Sequence, residues 1–235
     1  MHNPHPSEAG SRHERVFNLP PVVIAISVLC FLAYVVPVYF LSYEEAEMFF
    51  ASFGFVPALF ATGHSLMAGL SVVTYSFLHG SWAHLGFNMV WFVIFGSPLA
   101  CRLGAFFFLL FWIFTAIIAA LTHFIFYPES MTILVGASGA ISGLMGAAAR
   151  YGFRSVPERY LSGFTGPILP VHVALRSRTV LVFAGGWLLL NLLTGVMSQS
   201  SGARITPIAW EAHIGGLLAG FLIISFFDRH PFSLR

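Results

Sequence analysis

Val135-Gly136-Ala137-Ser138-Gly139-Ala140-Ile141-Ser142-Gly143-Leu144-Met145-Gly146 is the stretch on which the reading of this chain turns. It sets a serine between two glycines at the head of a short apolar segment. One reading is packing, because Gly139 and Gly143 are four apart and small residues at that spacing let membrane helices approach closely. The other is a nucleophile. A serine at a helix N-terminus lies beside unpaired backbone N–H groups that can hold an oxyanion. The surrounding chain decides between them.

The segment belongs to the fourth of six apolar runs, at about 21–42, 82–100, 104–126, 133–149, 179–197 and 206–227. Most are near the ~20 residues a spanning helix needs. The fourth is the shortest and, at ~1.5 Å per residue, falls just short of a ~30 Å hydrocarbon core. Packed among longer helices it can begin below the membrane surface, which submerges Ser138. The longest connection, 43–81, opens with Glu44, Glu45 and Glu47, then turns apolar from Met48 to Phe60 around Pro57. That piece is too short to span and carries four phenylalanines (Phe49, Phe50, Phe53, Phe55), so it is expected at the interface or dipping into one leaflet.

Composition agrees with a membrane protein. Charged residues are 9% and apolar residues 57% of the 235 positions, and the mean hydropathy is +0.84, against roughly 25% charge in a soluble domain. The net charge of +2 and the lack of a basic cluster leave no case for nucleic acid. Cys30 and Cys101 have no metal-ligand spacing, and no disulfide framework, metal or cofactor is expected. Residues 1–18 read as a disordered tail, 19–228 as one six-helix domain and 229–235 as a second short tail. No cleavable signal is expected, because the first apolar run lacks an A-x-A exit.

The arginines set the orientation. With the N-terminus cytoplasmic, the inside segments hold Arg12, Arg15, Arg102, Arg150, Arg154, Arg159, Arg176, Arg178, Arg229 and Arg235, and the outside segments hold only Arg204. That asymmetry predicts both termini inside. The second, fourth and sixth runs then all travel from outside to inside. His84 and Asn88, one turn apart at the start of the second, share a side and a depth with Ser138 and with His213 near the start of the sixth. Polar groups in membrane helices are costly and mark function. Here three separate runs bring a nucleophile, imidazoles and hydrogen-bond donors to one layer.

A serine needs a neighbouring base, and either His213 or His84 stands at a suitable depth. The only aspartate, Asp228, is fifteen residues beyond His213, ~22 Å along a helix, and Glu211 points to another face. The expectation is therefore a serine–histidine dyad. One aspartate excludes a paired-aspartate protease. No HExxH or HxxEH occurs for a zinc protease. The soluble nucleophile elbow fails because Ala140 replaces its second glycine and no strand precedes it.

With these residues in place the chain resembles the rhomboid intramembrane serine proteases. Gly136-Ala137-Ser138-Gly139 matches the family's GxSG. His79, His84 and Asn88 match the His-x4-His-x3-Asn opening of the second helix, and Ala212-His213 with Gly216 and Gly220 matches the sixth. The resemblance spans about 20–228. It implies an all-α six-helix rhomboid-like bundle with a membrane-dipping loop between helices one and two. It also implies that Ser138 is the nucleophile and His213 the general base, and that His84, Asn88 and the Ser138 N–H form the oxyanion hole. His79, Gly136 and Gly139 would support the site, and Gly216 and Gly220 would pack it. The sequence departs at Ser142, where many members carry a tyrosine that supports the base. It departs again at Leu99-Ala100-Cys101-Arg102, which lacks a glutamate often found there.

The implied activity is cleavage, in a cell (inner) membrane, of transmembrane protein substrates within or beside their spans. Preference for small residues at the cut and helix-weakening residues nearby is implied too. The physics agrees, since a closed helix hides its amides. Two alternatives stay beside it: an inactive rhomboid-like module that binds membrane proteins, and a small transporter, for which internal repeats are lacking. Substrate access is expected between the second and fifth helices, with Phe183 and Trp187 facing Trp91, unless those aromatics simply face lipid.

Overall fold

The computed structural model describes residues 19–63, 65–156, 163–200 and 209–229, without the side chains of 194–200. The tails expected at 1–18 and 229–235 lie outside these residues apart from Arg229, as does most of the connection 198–205. The described chain is mostly helical. Helix α1 (Pro21–Phe40) begins on a proline at its first turn, where the missing N–H costs nothing. It stops at Leu41, and Ser42 caps α2 (Tyr43–Phe53) in a reciprocal box. The Ser42 hydroxyl accepts the Glu45 N–H at 3.4 Å, and the Glu45 carboxylate accepts the Ser42 N–H at 2.9 Å. Two more short helices follow, α3 (Pro57–Thr62) and α4 (Leu66–Thr74), then a 3-10 turn over Tyr75–Phe77. The connection expected as a dipping loop is thus built largely of short helices.

Helix α5 (Trp82–Leu103) is capped by Ser81 and ends at Gly104, whose φ of 75° turns the chain directly into α6 (Ala105–Phe126). Helix α7 covers Ser138–Arg150. It starts later than the apolar run at 133 because Leu134 is held extended, paired antiparallel to Phe55. A small hairpin, β1 (Ser155–Val156) against β2 (Gly163–Phe164), leads to α8 (Val171–Ala174), α9 (Arg178–Ser200) and α10 (Trp210–Phe227). Among the described residues four helices, α1, α5, α6 and α10, are long and apolar enough to cross a membrane. Their outward faces carry exposed large apolar residues such as Phe31, Phe106, Ile125, Leu222 and Phe226. This is a membrane protein.

The centre of the fold is α7, in which every residue from Gly139 to Arg150 is buried. It can be enclosed because it is mostly Gly, Ala and Ser, so neighbouring backbones come close. A Cβ at Gly216 would lie 2.0 Å from the Gly139 carbonyl oxygen, one at Gly220 1.9 Å from that of Gly143, and one at Gly146 2.2 Å from that of Leu217. The α7–α10 contact is therefore backbone against backbone. At the far end of α7 from Ser138, Arg102 gives two hydrogen bonds to Asp228 Oδ2 (3.0 and 2.9 Å), and the Tyr151 hydroxyl donates to the same oxygen at 2.8 Å. This joins the ends of α5, α7 and α10, and Asp228 is committed there.

Candidate active site

The segment before α7 is fixed on both flanks. Leu134 exchanges backbone hydrogen bonds with Phe55 (2.8 and 3.0 Å), and the Gly136 N–H donates to the Tyr75 carbonyl at 3.0 Å. Tyr75 is buried, and its hydroxyl donates to the Ala116 carbonyl of α6 at 2.9 Å. Gly136 has φ 128°, a conformation side chains rarely adopt, and a Cβ there would meet His84 Nε2 at 2.7 Å and Ser138 Oγ at 3.6 Å. Glycine is required twice over, by backbone and by space. The same geometry brings the His84 imidazole and the Ser138 hydroxyl to the space that a Cβ on Gly136 would enter.

Ser138 is the first residue of α7, and the first helical hydrogen bond runs from the Ile141 N–H to the Ala137 carbonyl at 2.9 Å. The N–H groups of Ser138, Gly139 and Ala140 precede that ladder and point past the helix end. Ser138 Oγ lies 2.6 Å from His213 Nε2. His213 sits one turn into α10 and is buried. The glycine contacts described above bring that turn against the head of α7. Asn88, one turn along α5 from His84, is buried, and its side-chain N–H2 has no hydrogen-bond partner among the described residues. His79 is buried before α5 and packs edge-on to His84, with ring centroids 5.1 Å apart.

Chemically this is a serine hydroxyl on an imidazole nitrogen at a helix N-terminus. Glu211, two residues before His213, is buried and bonded to His123 of α6, so its carboxylate serves the α6–α10 contact. Ser142 turns back to donate to the Ser138 carbonyl at 2.8 Å. Two neighbours of His213 were missed in the sequence. Asn191 Oδ1 contacts His213 Nδ1, and the Trp187 ring lies 6.3 Å from the imidazole at 37°. The available signal was Asn191 itself, a lone amide inside an apolar run. Phe183 and Trp187, expected to face the second run, do so: Trp187 meets Trp91 at 6.0 Å and Phe183 meets Phe95 at 5.6 Å.

A family model described as the Rhomboid domain matches residues 67–229, which takes in every residue of this site. Among curated proteins, the chain is 30% identical over 158 residues to "Rhomboid protease GlpG" of Serratia proteamaculans, covering 67% of this chain and 48% of that one. It is 36% identical over 172 residues to "Rhomboid-like protein 11, chloroplastic" of Arabidopsis thaliana, covering 72% of this chain and 56% of that one. The chain thus spans about half the length of the curated relatives it matches. With the domain model covering most of its length and the motif residues gathered at one end of α7, this chain belongs to the rhomboid family.

Proposed function

We infer that this rhomboid is an intramembrane serine endopeptidase that hydrolyses peptide bonds in or next to the transmembrane segments of other membrane proteins. The observation that carries the reading is the 2.6 Å approach of Ser138 Oγ to His213 Nε2 at the open head of a buried helix. Ser138 Oγ attacks the scissile carbonyl carbon while its proton passes to His213 Nε2. The carbonyl oxygen becomes an oxyanion held by the Ser138 N–H, the unpaired Asn88 amide and the His84 ring. Collapse breaks the C–N bond, and His213 gives its proton to the leaving amine. Water, deprotonated by the same imidazole, then hydrolyses the acyl-enzyme. Small residues at the cut fit the crowding at Gly136, and helix-weakening residues nearby would free the amide to be attacked.

The fold assigned to this activity has six membrane-crossing segments, α1, α5, α6, α7, α9 and α10, with α7 submerged and α2 to α4 at the outer interface. Ten arginines against one put both termini in the cytoplasm of a cell membrane and open the site to the outer face. No cofactor is needed for the steps above. The decisive experiment is a fluorogenic transmembrane substrate in liposomes, alongside labelling by a fluorophosphonate. The unaltered protein should cleave and label at Ser138. Ser138→Ala should do neither, and His213→Ala should lose both. An inactive binding module or a transporter would leave substrate intact and Ser138 unlabelled.

A further inference from the structure

Asn191 lies in the middle of α9 and is buried, among exposed leucines at 189, 190, 192 and 193. An amide there is expensive unless its groups are used. Its Nδ2 donates to the Trp187 carbonyl one turn back, at 2.7 Å, and this fixes which way the amide faces. Oδ1, which can only accept, is the atom presented to His213 Nδ1. A neutral imidazole carries one proton. With an acceptor against Nδ1 the proton resides there, and the lone pair on Nε2 faces Ser138 Oγ, the tautomer a general base requires. Ser142, one turn after the nucleophile, makes its hydrogen bond to the Ser138 carbonyl and takes no part. The Trp187 ring walls the imidazole from the same helix.

We propose that Asn191 is the positioning residue of a Ser138–His213–Asn191 triad, holding the base in its Nδ1–H tautomer and its ring plane toward the serine. Support for the base thus comes from α9, a helix carrying neither the nucleophile nor the base. The role rests on Ser138 and His213 being the reacting pair, and the following experiment separates the two ideas. In the full chain reconstituted in liposomes, cleavage of a fluorogenic transmembrane peptide is measured for Asn191→Ala, Asn191→Leu and Asn191→Asp, with Ser138→Ala as reference. Alanine and leucine should lower kcat about tenfold or more while leaving KM within about twofold, short of the roughly 10⁴-fold loss on removing a triad carboxylate. Aspartate offers the same acceptor and should restore kcat to within severalfold. A role in packing alone would not be rescued by aspartate over the similarly sized leucine.

If Asn191→Leu keeps full kcat, or Asn191→Asp falls as far as leucine, the positioning role is overturned while the dyad stands. Should Ser138→Ala cleave normally, the dyad is wrong and the role falls with it. If the leucine variant does not fold, nitrogen NMR of the unaltered protein with labelled histidine gives the same answer. The His213 resonances, identified by their loss in His213→Gln, should show Nδ1 protonated and Nε2 bare. The opposite tautomer overturns the proposal.

Discussion

Asn88 carries a buried donor with no acceptor among the described residues, an arrangement that normally costs about 1–3 kcal/mol. A fold keeps such a group when something else is to occupy it. Placed one turn from His84 on α5, the amide suits, on the proposed function, a charge that exists only during the reaction. Asn88→Ala should then leave thermal unfolding unchanged or slightly raised, and reduce kcat roughly tenfold to a thousandfold. A variant with normal kcat would remove Asn88 from the oxyanion hole. Ser138→Ala and His213→Ala should each abolish turnover, and the double variant should be little worse than either, because groups that act as a unit lose their effect together. Ser138, His84, Asn88 and His213 could be singled out from the sequence because each is a costly polar group near the start of an apolar run. Asn191 is equally costly and equally visible. What it touches depends on how α9 is rotated and how far it slides along α10, and no residue spacing records that.

Between elements, the α7–α10 seam is the contact least able to change. Side chains that collide can often turn aside, but a Cβ at Gly220 would sit 1.9 Å from a carbonyl oxygen on the opposite helix, and only helix separation relieves that. Gly220→Ala should cost at or above the ~1–3 kcal/mol usual for overpacking, lowering the unfolding temperature. Cleavage should fall with it, as His213 is drawn away from Ser138. Gly185→Ala on α9, where nothing lies within 4 Å, should leave both unchanged or gain about 0.5–1 kcal/mol from helix propensity. Equal effects at the two sites would mean the seam does not hold the dyad. The glycine spacing made this contact readable. The region 43–81 was harder. Ser42-Tyr43-Glu44-Glu45 spells a capping box and announces α2. The pieces after it, however, are short helices set by contacts such as Phe55 with Leu134, which belong to the fold rather than to any local pattern.

Across the whole molecule, the proposed function requires water and substrate to reach one serine by different routes. Water can come over the open head of α7. A substrate helix travels in the lipid and needs two helices to part. The seam between α5 and α9 is built differently from the one between α7 and α10. It rests on side chains, Trp91 on Trp187 and Phe95 on Phe183, with Phe153 bracing Phe183 at 4.6 Å. Ring contacts of this kind can be remade after a helix shifts, whereas a glycine seam cannot open without exposing backbone to lipid. Helix α9 is accordingly the side expected to move, and on the proposal above it carries Asn191 away from His213 when it does. A disulfide joining the Ser138-side ends of α5 and α9 should therefore separate two activities. Cleavage of a transmembrane substrate should fall sharply, and reduction of the disulfide should restore it. Labelling of Ser138 by a small water-soluble fluorophosphonate should persist at the unaltered rate, because the tether keeps Asn191 against the base. Full-rate cleavage with the tether intact would mean that substrate arrives between other helices.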